Sequence, residues 1–189
     1  MDKQTWKNIV EGDKDAYSGL YIAYFKKFYN YGRKFTTDVL LIEDAIQELF
    51  LEVWQKKETM LDVAIPNSYL FSSFRYILFK KLRQSRLVVQ SNEFADEPEF
   101  SIDFAIINRE ADKELQAGLQ LALNALTPRQ REAVFLRFYE GLSYEEVAAI
   151  LNISVKATYK IMARSLSALK DKLYLPLGLI LVLLRFSKF

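Results

Sequence analysis

The chain has 189 residues, with 26 basic and 24 acidic side chains, and it contains neither cysteine nor histidine. The missing residue types exclude a disulfide framework, thiolate chemistry, and both the commonest metal ligand and the commonest general base of proteins. The six glycines are scattered, so no glycine run is present to hold a phosphate. We therefore expect a binding protein rather than an enzyme, with no catalytic residue, metal, cofactor or small-molecule substrate.

The charges are unevenly distributed along the chain. Residues 1–90 carry 14 bases and 11 acids, residues 91–112 carry one base and seven acids, and residues 113–174 carry nine bases and six acids. Two mildly basic blocks around an acidic segment are typical of two nucleic-acid-facing modules joined by a solvated linker. The N-terminal sequence is polar and lacks the apolar run of a signal peptide, which predicts a cytoplasmic location.

Four helices are predicted in the first block, because apolar residues recur there at spacings of three and four. The predicted helices cover residues 2–11, 13–35, 43–57 and 67–86, with a turn at 36–42 and a loop at 58–66. Aromatic side chains form the stripe of the second helix: Tyr17, Tyr21, Tyr24, Phe28, Tyr31 and Phe35. We assign this stripe to packing rather than to function.

The fourth predicted helix begins with aromatic residues and ends in basic ones. Rings that stack on exposed bases, beside cations that follow the phosphates, are typical of proteins that bind single-stranded DNA. In the alternative interpretation the basic end is only solvated, and the core is formed by Phe71, Phe74, Ile77 and Leu78. The sequence alone leaves both interpretations open.

The acidic segment that follows has a proline and no sustained periodicity, which predicts a loose linker. A solvated spacer is the simpler interpretation. The alternative is that its acids fold over the basic faces and keep them from DNA; they are Glu93, Asp96, Glu97, Glu99 and Asp103. A further helix is expected to begin near residues 101–103, and its apolar stripe continues to Leu126.

Two capping boxes mark the strongest pattern in the chain, the stretch 126–170. Thr127 pairs with Gln130, and Ser143 pairs with Glu146, so each pair predicts the start of a helix. The short helix opened by the second box leads through a two-residue turn into a longer helix. This arrangement predicts a helix-turn-helix, which places its second helix in the major groove of DNA.

The longer helix is predicted to be capped by Ser154 and to run to about Leu173. Its buried face is expected to consist of Thr158, Ile161, Met162, Ser165, Leu166, Leu169 and Leu173. Its outer face is expected to consist of Lys156, Tyr159, Lys160, Ala163, Arg164 and Ser167. A basic outer face is also common on solvated surfaces, but the caps, the turn and the helix lengths together favour DNA binding.

The C-terminal segment 173–184 is apolar but too short for a membrane span, which needs about 20 residues. Pro176 should end or kink the preceding helix. The leading prediction is that residues 177–186 form a final helix folded onto a groove of one domain. The alternatives are docking to a partner protein or to another copy, and attachment to a membrane surface.

The two halves together resemble an extracytoplasmic-function sigma factor of bacterial RNA polymerase over about residues 5–173. The third helix carries D-x-x-Q-E-x-F-x-x-x-W from Asp44 to Trp54, which looks like the polymerase-binding segment of the family. The helix-turn-helix matches the second domain of the family. The fourth helix is similar to its promoter-melting helix at Tyr69, Leu70, Arg75 and Arg83.

The chain also departs from the family pattern. Lys80 stands where the family often has Asp, and Tyr76 stands where it often has Asn. Tyr159 and Ile161 stand where many members carry a base, and Ile161 is predicted to be buried, so no DNA contact is assigned to it. These departures leave the promoter sequence open. The acidic linker and the leucine-rich tail look most like members from the Bacteroidetes lineage.

The resemblance implies an all-α protein of two small helical domains joined by a flexible acidic linker, the second a four-helix helix-turn-helix domain. Residues 1–90 would bind core polymerase and recognise and melt the −10 element, and residues 91–102 would form the linker. Residues 103–174 would read the −35 element, and residues 175–189 would form a hydrophobic tail. The protein would direct promoter-specific transcription initiation without making or breaking a bond itself.

The resemblance also implies three groups of site residues. Docking on core polymerase would use Asp44, Gln47, Glu48, Leu51, Trp54 and Gln55. Contacts with the −10 element would use Asn67, Tyr69, Arg75, Lys80 and Arg83, and the loop 58–65 would take a flipped base. Contacts with the −35 element would use Arg129, Arg131, Ser154, Lys156, Tyr159, Lys160 and Arg164. The implied partners are core polymerase, through its β′ clamp helices and β flap, promoter DNA and an anti-sigma factor.

Two other function classes share parts of this pattern. A helix-turn-helix transcription regulator that is not a polymerase subunit would carry the same second domain, but the all-helical first block shows no ligand-pocket signature. A helical interaction or membrane-associated protein is suggested by the tail alone. Co-purification with core polymerase distinguishes a sigma factor from both of these classes.

Overall fold

The computed structural model describes residues 3–60, 63–88, 100–101 and 118–173, which form helices and turns and contain no strand. The predicted all-α class is therefore confirmed. The chain divides into two compact units, Met1–Pro98 and Glu99–Phe189. The tail and almost all of the acidic linker lie outside the described residues, and the predicted domain boundaries stay predictions. No described helix is long and apolar enough to cross a membrane.

The first unit is built from four α-helices and one short 3₁₀ turn. The helices are α1 (Lys3–Val10), α2 (Lys14–Gly32), α3 (Val39–Gln55) and α4 (Pro66–Val88), and the 3₁₀ turn is Lys57–Met60. Asp13 caps α2, because its carboxylate accepts hydrogen bonds from the backbone N–H groups of Asp15 and Ala16 at 2.8 and 3.0 Å. The predicted loop at 58–66 is partly wrong, since the 3₁₀ turn occupies its start.

The third helix begins four residues earlier than the sequence pattern predicted. The Asp38 carboxylate accepts a hydrogen bond from the backbone N–H of Leu41 at 3.0 Å, which caps the helix at Val39 rather than at Glu43. The predicted turn at 36–42 is therefore too long. The helix before it ends at Gly32, where an added Cβ would lie 2.9 Å from the Ile42 side chain. The close approach of α2 and α3 accordingly requires glycine there.

Aromatic side chains fill the core of the first unit. Phe28 is fully buried, and its ring centroid lies 4.8 Å from that of Phe74, 5.1 Å from Phe71 and 6.2 Å from Phe50. The predicted packing stripe on α2 is confirmed at its centre, whereas Tyr17, Tyr21 and Phe35 are only half-buried. The core interpretation of the apolar residues of α4 is also confirmed, because all four are buried.

Four helices lie in the described part of the second unit. These are α5 (118–124), α6 (Pro128–Val134, continuing as π-helix through Phe135–Tyr139), α7 (Tyr144–Ile150) and α8 (Val155–Leu173). Both predicted capping boxes are confirmed, with each side chain and backbone bonded in both directions. The α6 segment is followed by Gly141, which has φ +72°, the left-handed region that favours glycine.

A tight turn joins α7 to α8 and completes the predicted helix-turn-helix. Asn152 has φ 51°, which Asn tolerates better than most residues, and the backbone N–H of Ile153 donates to the carbonyl of Ala148 at 3.0 Å. Ser154 then caps α8, accepting a hydrogen bond from the backbone N–H of Ala157 at 3.1 Å. The buried face of α8 consists of Thr158, Met162, Ser165 and Leu169. The other residues predicted for this face are half-buried: Ile161, Leu166 and Leu173.

Candidate protein-docking and nucleic-acid interfaces

The outer face of α8 carries the exposed residues that the sequence predicted. All six are exposed: Lys156, Tyr159, Lys160, Ala163, Arg164 and Ser167. Because α8 is the second helix of a helix-turn-helix, this face is the one that would lie in a major groove. Its three cations and one aromatic ring can contact phosphates and base edges.

The other three residues predicted to contact the −35 element are not part of this outer face. Arg131 is only 8% exposed, so the structure contradicts a surface position from which its guanidinium could contact the DNA backbone. Arg129 is on the surface, but its guanidinium donates to the carbonyl of Leu151 at 2.9 Å, which joins α6 to the end of α7. The Ser154 hydroxyl accepts the capping bond, although its exposed position leaves the hydroxyl accessible. The hydrogen bonds of Arg129 and Ser154 stabilise the helix-turn-helix in the free protein.

Tyr144 and Arg137 lie next to this face, and neither was predicted from the sequence. The rings of Tyr144 and Tyr159 are stacked, with centroids 4.2 Å apart and an interplanar angle of 19°. The guanidinium carbon of Arg137 lies 5.0 Å from the centroid of the Tyr144 ring. Tyr144 and Tyr159 are 15 positions apart on different helices, so no local spacing rule could have paired them.

In the first unit, α3 presents an exposed stripe along one side. Asp44, Gln47, Leu51 and Gln55 are all exposed and recur at spacings of three and four, which places them on one helix face. Leu51 is 59% exposed. Leu40 continues the stripe one turn earlier and is 77% exposed, but the sequence analysis had placed it in a turn. An exposed stripe that contains two leucines is suited to binding another protein.

Trp54 lies at the border between this stripe and the core. Its ring centroid is 4.8 Å from that of Tyr17 on α2, and the Lys57 ammonium lies 4.7 Å from the Trp54 centroid. The side chain is half-buried. Trp54 therefore packs within the unit and still leaves part of its surface accessible to a partner.

Two acids of α3 are engaged by lysines of α4. The Lys81 ammonium lies 2.6 Å from a carboxylate oxygen of Asp44 and 2.6 Å from one of Glu48, and Lys80 lies 3.5 Å from Glu48. The hydrogen bond from Lys81 lowers the pKa of Glu48 below its ordinary value. Burial by itself would lower the pKa of Lys81, but the hydrogen bonds to Asp44 and Glu48 raise it. The predicted docking acids and the predicted DNA-contacting Lys80 thus meet in one ion-pair cluster.

The predicted −10 residues do not share one face of α4. At 100° per residue, Tyr69, Lys80 and Arg83 fall on one side of the helix, whereas Asn67 and Arg75 fall on another. Tyr76 lies on the same side as the first three and is 67% exposed. The resulting aromatic and basic face runs for about 20 Å along the helix, at about 1.5 Å per residue. It combines the two side-chain types that contact single-stranded DNA.

The remaining two residues of this group are held by neighbours in the unit. The Asn67 amide oxygen accepts a hydrogen bond from the Tyr24 hydroxyl. Arg75 packs its guanidinium 4.1 Å from the centroid of Phe79, one turn further along α4. Both side chains are half-buried, which leaves each of them partly accessible.

A cavity of about 320 Å³ lies between α1 and the segment that leads into α4. It is lined by Lys3, Trp6, Lys7, Val10, Val63, Ala64 and Pro66. Trp6 is fixed in its wall, because its indole N–H donates to the carbonyl of Met60 at 3.1 Å and its ring contacts Tyr69 edge-on. The cavity therefore borders the loop 58–65 to which a flipped base was assigned, and α1 contributes to it.

Within the described ranges, no group of three or more metal-binding side chains is placed to hold a metal ion. The exposed basic helix of the second unit belongs to a helix-turn-helix, an arrangement that is typical of DNA-binding proteins.

Comparison with known proteins refines this class. The family Sigma-70, region 4 matches residues 116–169. The RNA polymerase sigma-H factor of Pseudomonas aeruginosa is 26% identical over 193 residues, covering 94% of this chain and 95% of the relative. The ECF RNA polymerase sigma factor SigK of Mycobacterium sp. strain KMS is 24% identical over 173 residues, covering 87% and 86%.

Two solved structures share the fold. CnrH in complex with the cytosolic domain of CnrY has a TM-score of 0.59 at 21% identity, covering 92% of this chain and 97% of that one. RpoE in complex with the anti-sigma factor NepR, from Bartonella quintana, has a TM-score of 0.58 at 22% identity, covering 84% and 96%. These two structures show the fold that the chain shares with them, and the two sequence relatives are RNA polymerase sigma factors.

Proposed function

We propose that this protein is a sigma factor, which binds core RNA polymerase and directs promoter-specific initiation of transcription. The observation that carries the proposal is the presence in one chain of two complementary surfaces. The second unit is a helix-turn-helix with a basic exposed helix, and the first unit pairs an exposed protein-docking stripe with an aromatic and basic helix face. A regulator that only binds DNA does not need the exposed docking stripe of the first unit.

The α3 stripe is the proposed docking surface for the β′ clamp helices. Leu40 and Leu51 supply apolar area that a partner would bury, and the exposed part of Trp54 adds an aromatic edge. Gln47 and Gln55 would form hydrogen bonds with the partner. The acids Asp44 and Glu48 supply charge complementarity to a basic partner helix, which favours one register over others.

The α4 face and the cavity beside α1 are the proposed site for the melted −10 element. Tyr69 and Tyr76 would stack on exposed bases, and Lys80 and Arg83 would follow the phosphates of the same strand. The cavity would receive a flipped base, which offsets part of the cost of opening the duplex, a few kcal/mol. Asn67 and Arg75, near the cavity end of α4, would contact that region of the strand.

The outer face of α8 is the proposed reader of the −35 element. Lys156, Lys160 and Arg164 would contact phosphates and guanine edges, and Tyr159 would contact a base. Ser154 would meet a phosphate at the start of the helix, where the backbone N–H groups favour an anion. Arg129 would contact the DNA backbone from α6. Arg131 is not included, because it is buried.

The remaining assignments follow from the same proposal. Residues 1–90 would be the polymerase and −10 domain and residues 103–174 the −35 domain, with the linker at 91–102 and the tail at 175–189. The protein would act in the cytoplasm, without enzymatic activity of its own, and an anti-sigma factor would control it, as NepR is bound to RpoE. The similarity to members from the Bacteroidetes rests on the linker and tail alone, and the relatives named above come from other lineages.

The test is an in vitro transcription selection with core polymerase and a random promoter library. We expect the full-length protein to co-purify with core polymerase and to enrich one pair of −10 and −35 elements. Replacing Leu40 and Leu51 together by Ala should weaken holoenzyme assembly by at least tenfold, because both leucines lie on the docking stripe. The matched control is Ile22→Ala on α2, which removes an equally exposed aliphatic side chain, 76% exposed, from another helix.

Two outcomes would refute the proposal. The first is binding to DNA without any association with core polymerase, which would favour an independent helix-turn-helix regulator. The second is wild-type holoenzyme assembly by a folded variant that lacks Leu40, Leu51, Asp44, Glu48 and Trp54 together.

A further inference from the structure

The stacked pair Tyr144–Tyr159 joins the two helices of the helix-turn-helix. Tyr144 is the first residue of α7 and Tyr159 lies on the outer face of α8. Their centroids are 4.2 Å apart and their planes are 19° from parallel, so one face of each ring is covered by the other. Tyr159 nevertheless remains 51% exposed, which leaves part of its ring open on the proposed DNA-binding side.

Tyr144 is itself held in place by two neighbouring contacts. The guanidinium carbon of Arg137 lies 5.0 Å from the Tyr144 centroid, and that guanidinium donates to the carbonyl of Leu142 at 2.8 Å. The capping bonds of Ser143 fix the backbone just before Tyr144, at 2.7 and 3.1 Å. A ring fixed in this way restricts the ring stacked on it, so Tyr159 loses little further freedom when it binds.

The geometry points to Tyr159 as a reader of thymine in the −35 element, with Tyr144 as the positioning residue that holds its ring. This inference rests on the proposed function, because α8 must lie in the major groove of that element. The thymine C5 methyl is the apolar group on the major-groove edge of the base pairs, and apolar side chains recognise it by contact. Lys156 and Lys160 flank Tyr159 on the same helix face and would set its depth in the groove through the phosphates.

The inference can be tested with promoters obtained from the selection with the wild-type protein. Each thymine of the −35 element is replaced in turn by deoxyuridine, which lacks only the C5 methyl group, and holoenzyme affinity is measured. The wild type should lose about fourfold in affinity at one thymine, the value expected for one methyl group removed from water. Tyr159→Ala should bind both versions of that promoter equally well.

The Tyr144 variants separate positioning from general stability. Tyr144→Leu should lose the methyl sensitivity at the same position, although Tyr159 is still present. Tyr144→Phe and Tyr159→Phe keep both rings and should retain it. Lys156→Ala should weaken binding to both versions of the promoter while leaving the fourfold ratio intact. If Tyr144→Leu does not fold, Tyr144→Ser provides the same comparison, because position 144 is only half-buried.

Three outcomes would overturn the inference. These are a selected −35 element without a required thymine, no methyl-sensitive thymine in the wild type, and undiminished sensitivity in a folded Tyr144→Leu or Tyr144→Ser variant. If the selection enriches no promoter at all, the proposed function itself fails. An enriched promoter without methyl sensitivity counts against Tyr144 and Tyr159 alone.

Discussion

The candidate surfaces of the two units are held in place by contacts of different chemistry, with charged pairs between helices in the first unit and capping bonds and a stacked ring pair in the second. In the second unit, side chains bond to backbone three residues away, as Ser143 does with Glu146. In the first unit, Lys81 bonds to Asp44 across 37 positions, and Tyr24 bonds to Asn67 across 43. The local bonds fix where a helix starts, whereas the distant ones couple helices through charged and polar side chains. The first surface should therefore respond to acid and salt, and the second should respond little.

The largest expected effect is on the core beneath the first surface. Phe28→Ala removes a fully buried ring that contacts four other rings and should destabilise the first unit by about 3–5 kcal/mol. Trp6 and Trp54 are the two tryptophans of the chain, and both lie in this unit, so fluorescence-detected unfolding in urea reports on it. The exposed Ile22→Ala is the control and should leave the midpoint unchanged. A Phe28→Ala protein with a wild-type midpoint would contradict this description of the core.

A smaller effect is expected from removing a cap in the second unit. Ser143→Ala removes the hydroxyl that accepts a hydrogen bond from the backbone N–H of Glu146, and this loss should cost about 1 kcal/mol of stability. Circular dichroism should show the loss, and tryptophan fluorescence should not, because the second unit contains no tryptophan. Ser167→Ala on the exposed face of α8 is the matched control and should change stability by less than about 0.5 kcal/mol. If Ser143→Ala and Ser167→Ala changed the stability equally, the capping bond would not stabilise the second unit as described.

The smallest expected effect concerns the ion-pair cluster of the first unit. Because the pKa of Glu48 is lowered in the folded state, its contribution is present above the ordinary value of 4.5 and is lost as pH falls through the folded pKa. Glu48→Gln should therefore cost about 0.2–1 kcal/mol at neutral pH, less in high salt, and nothing in strong acid. Urea unfolding followed by tryptophan fluorescence at several pH values measures this.

The control for the pH experiment is Glu11→Gln. Glu11 lies 3.6 Å from Lys7, and both side chains are more than half exposed, so its loss should have a weaker effect at every pH. A pH-independent difference between wild type and Glu48→Gln would contradict the role assigned to the cluster.

Sequence analysis was most accurate where the structure depends on short-range bonds. The helix-turn-helix and its caps were predicted, because capping pairs act within a few positions. The aromatic stripe of α2 was predicted by periodicity alone. The start of α3 at Val39 was missed, although Asp38 is a capping residue type that precedes an apolar run.

The errors at the candidate sites have a common physical cause. Whether Arg131 is buried, or whether Tyr144 stacks on Tyr159, depends on how separate helices pack, and no spacing within one helix contains that information. The same holds for Lys81, whose position between two acids of α3 could not be derived from α4. The exposure of Tyr76 and Leu40 also depends on how the neighbouring helices pack, so it could not be predicted from the sequence.

The position of Lys81 has a consequence for how a polymerase would be bound. A basic partner that approaches Asp44 and Glu48 meets carboxylates that already have an ammonium group as a neighbour. Binding would then be an exchange of one cation for another, with little net change in the number of ion pairs. Under such an exchange the acids would select among partners, whereas the tightness of the complex would come from the leucines left uncovered beside them.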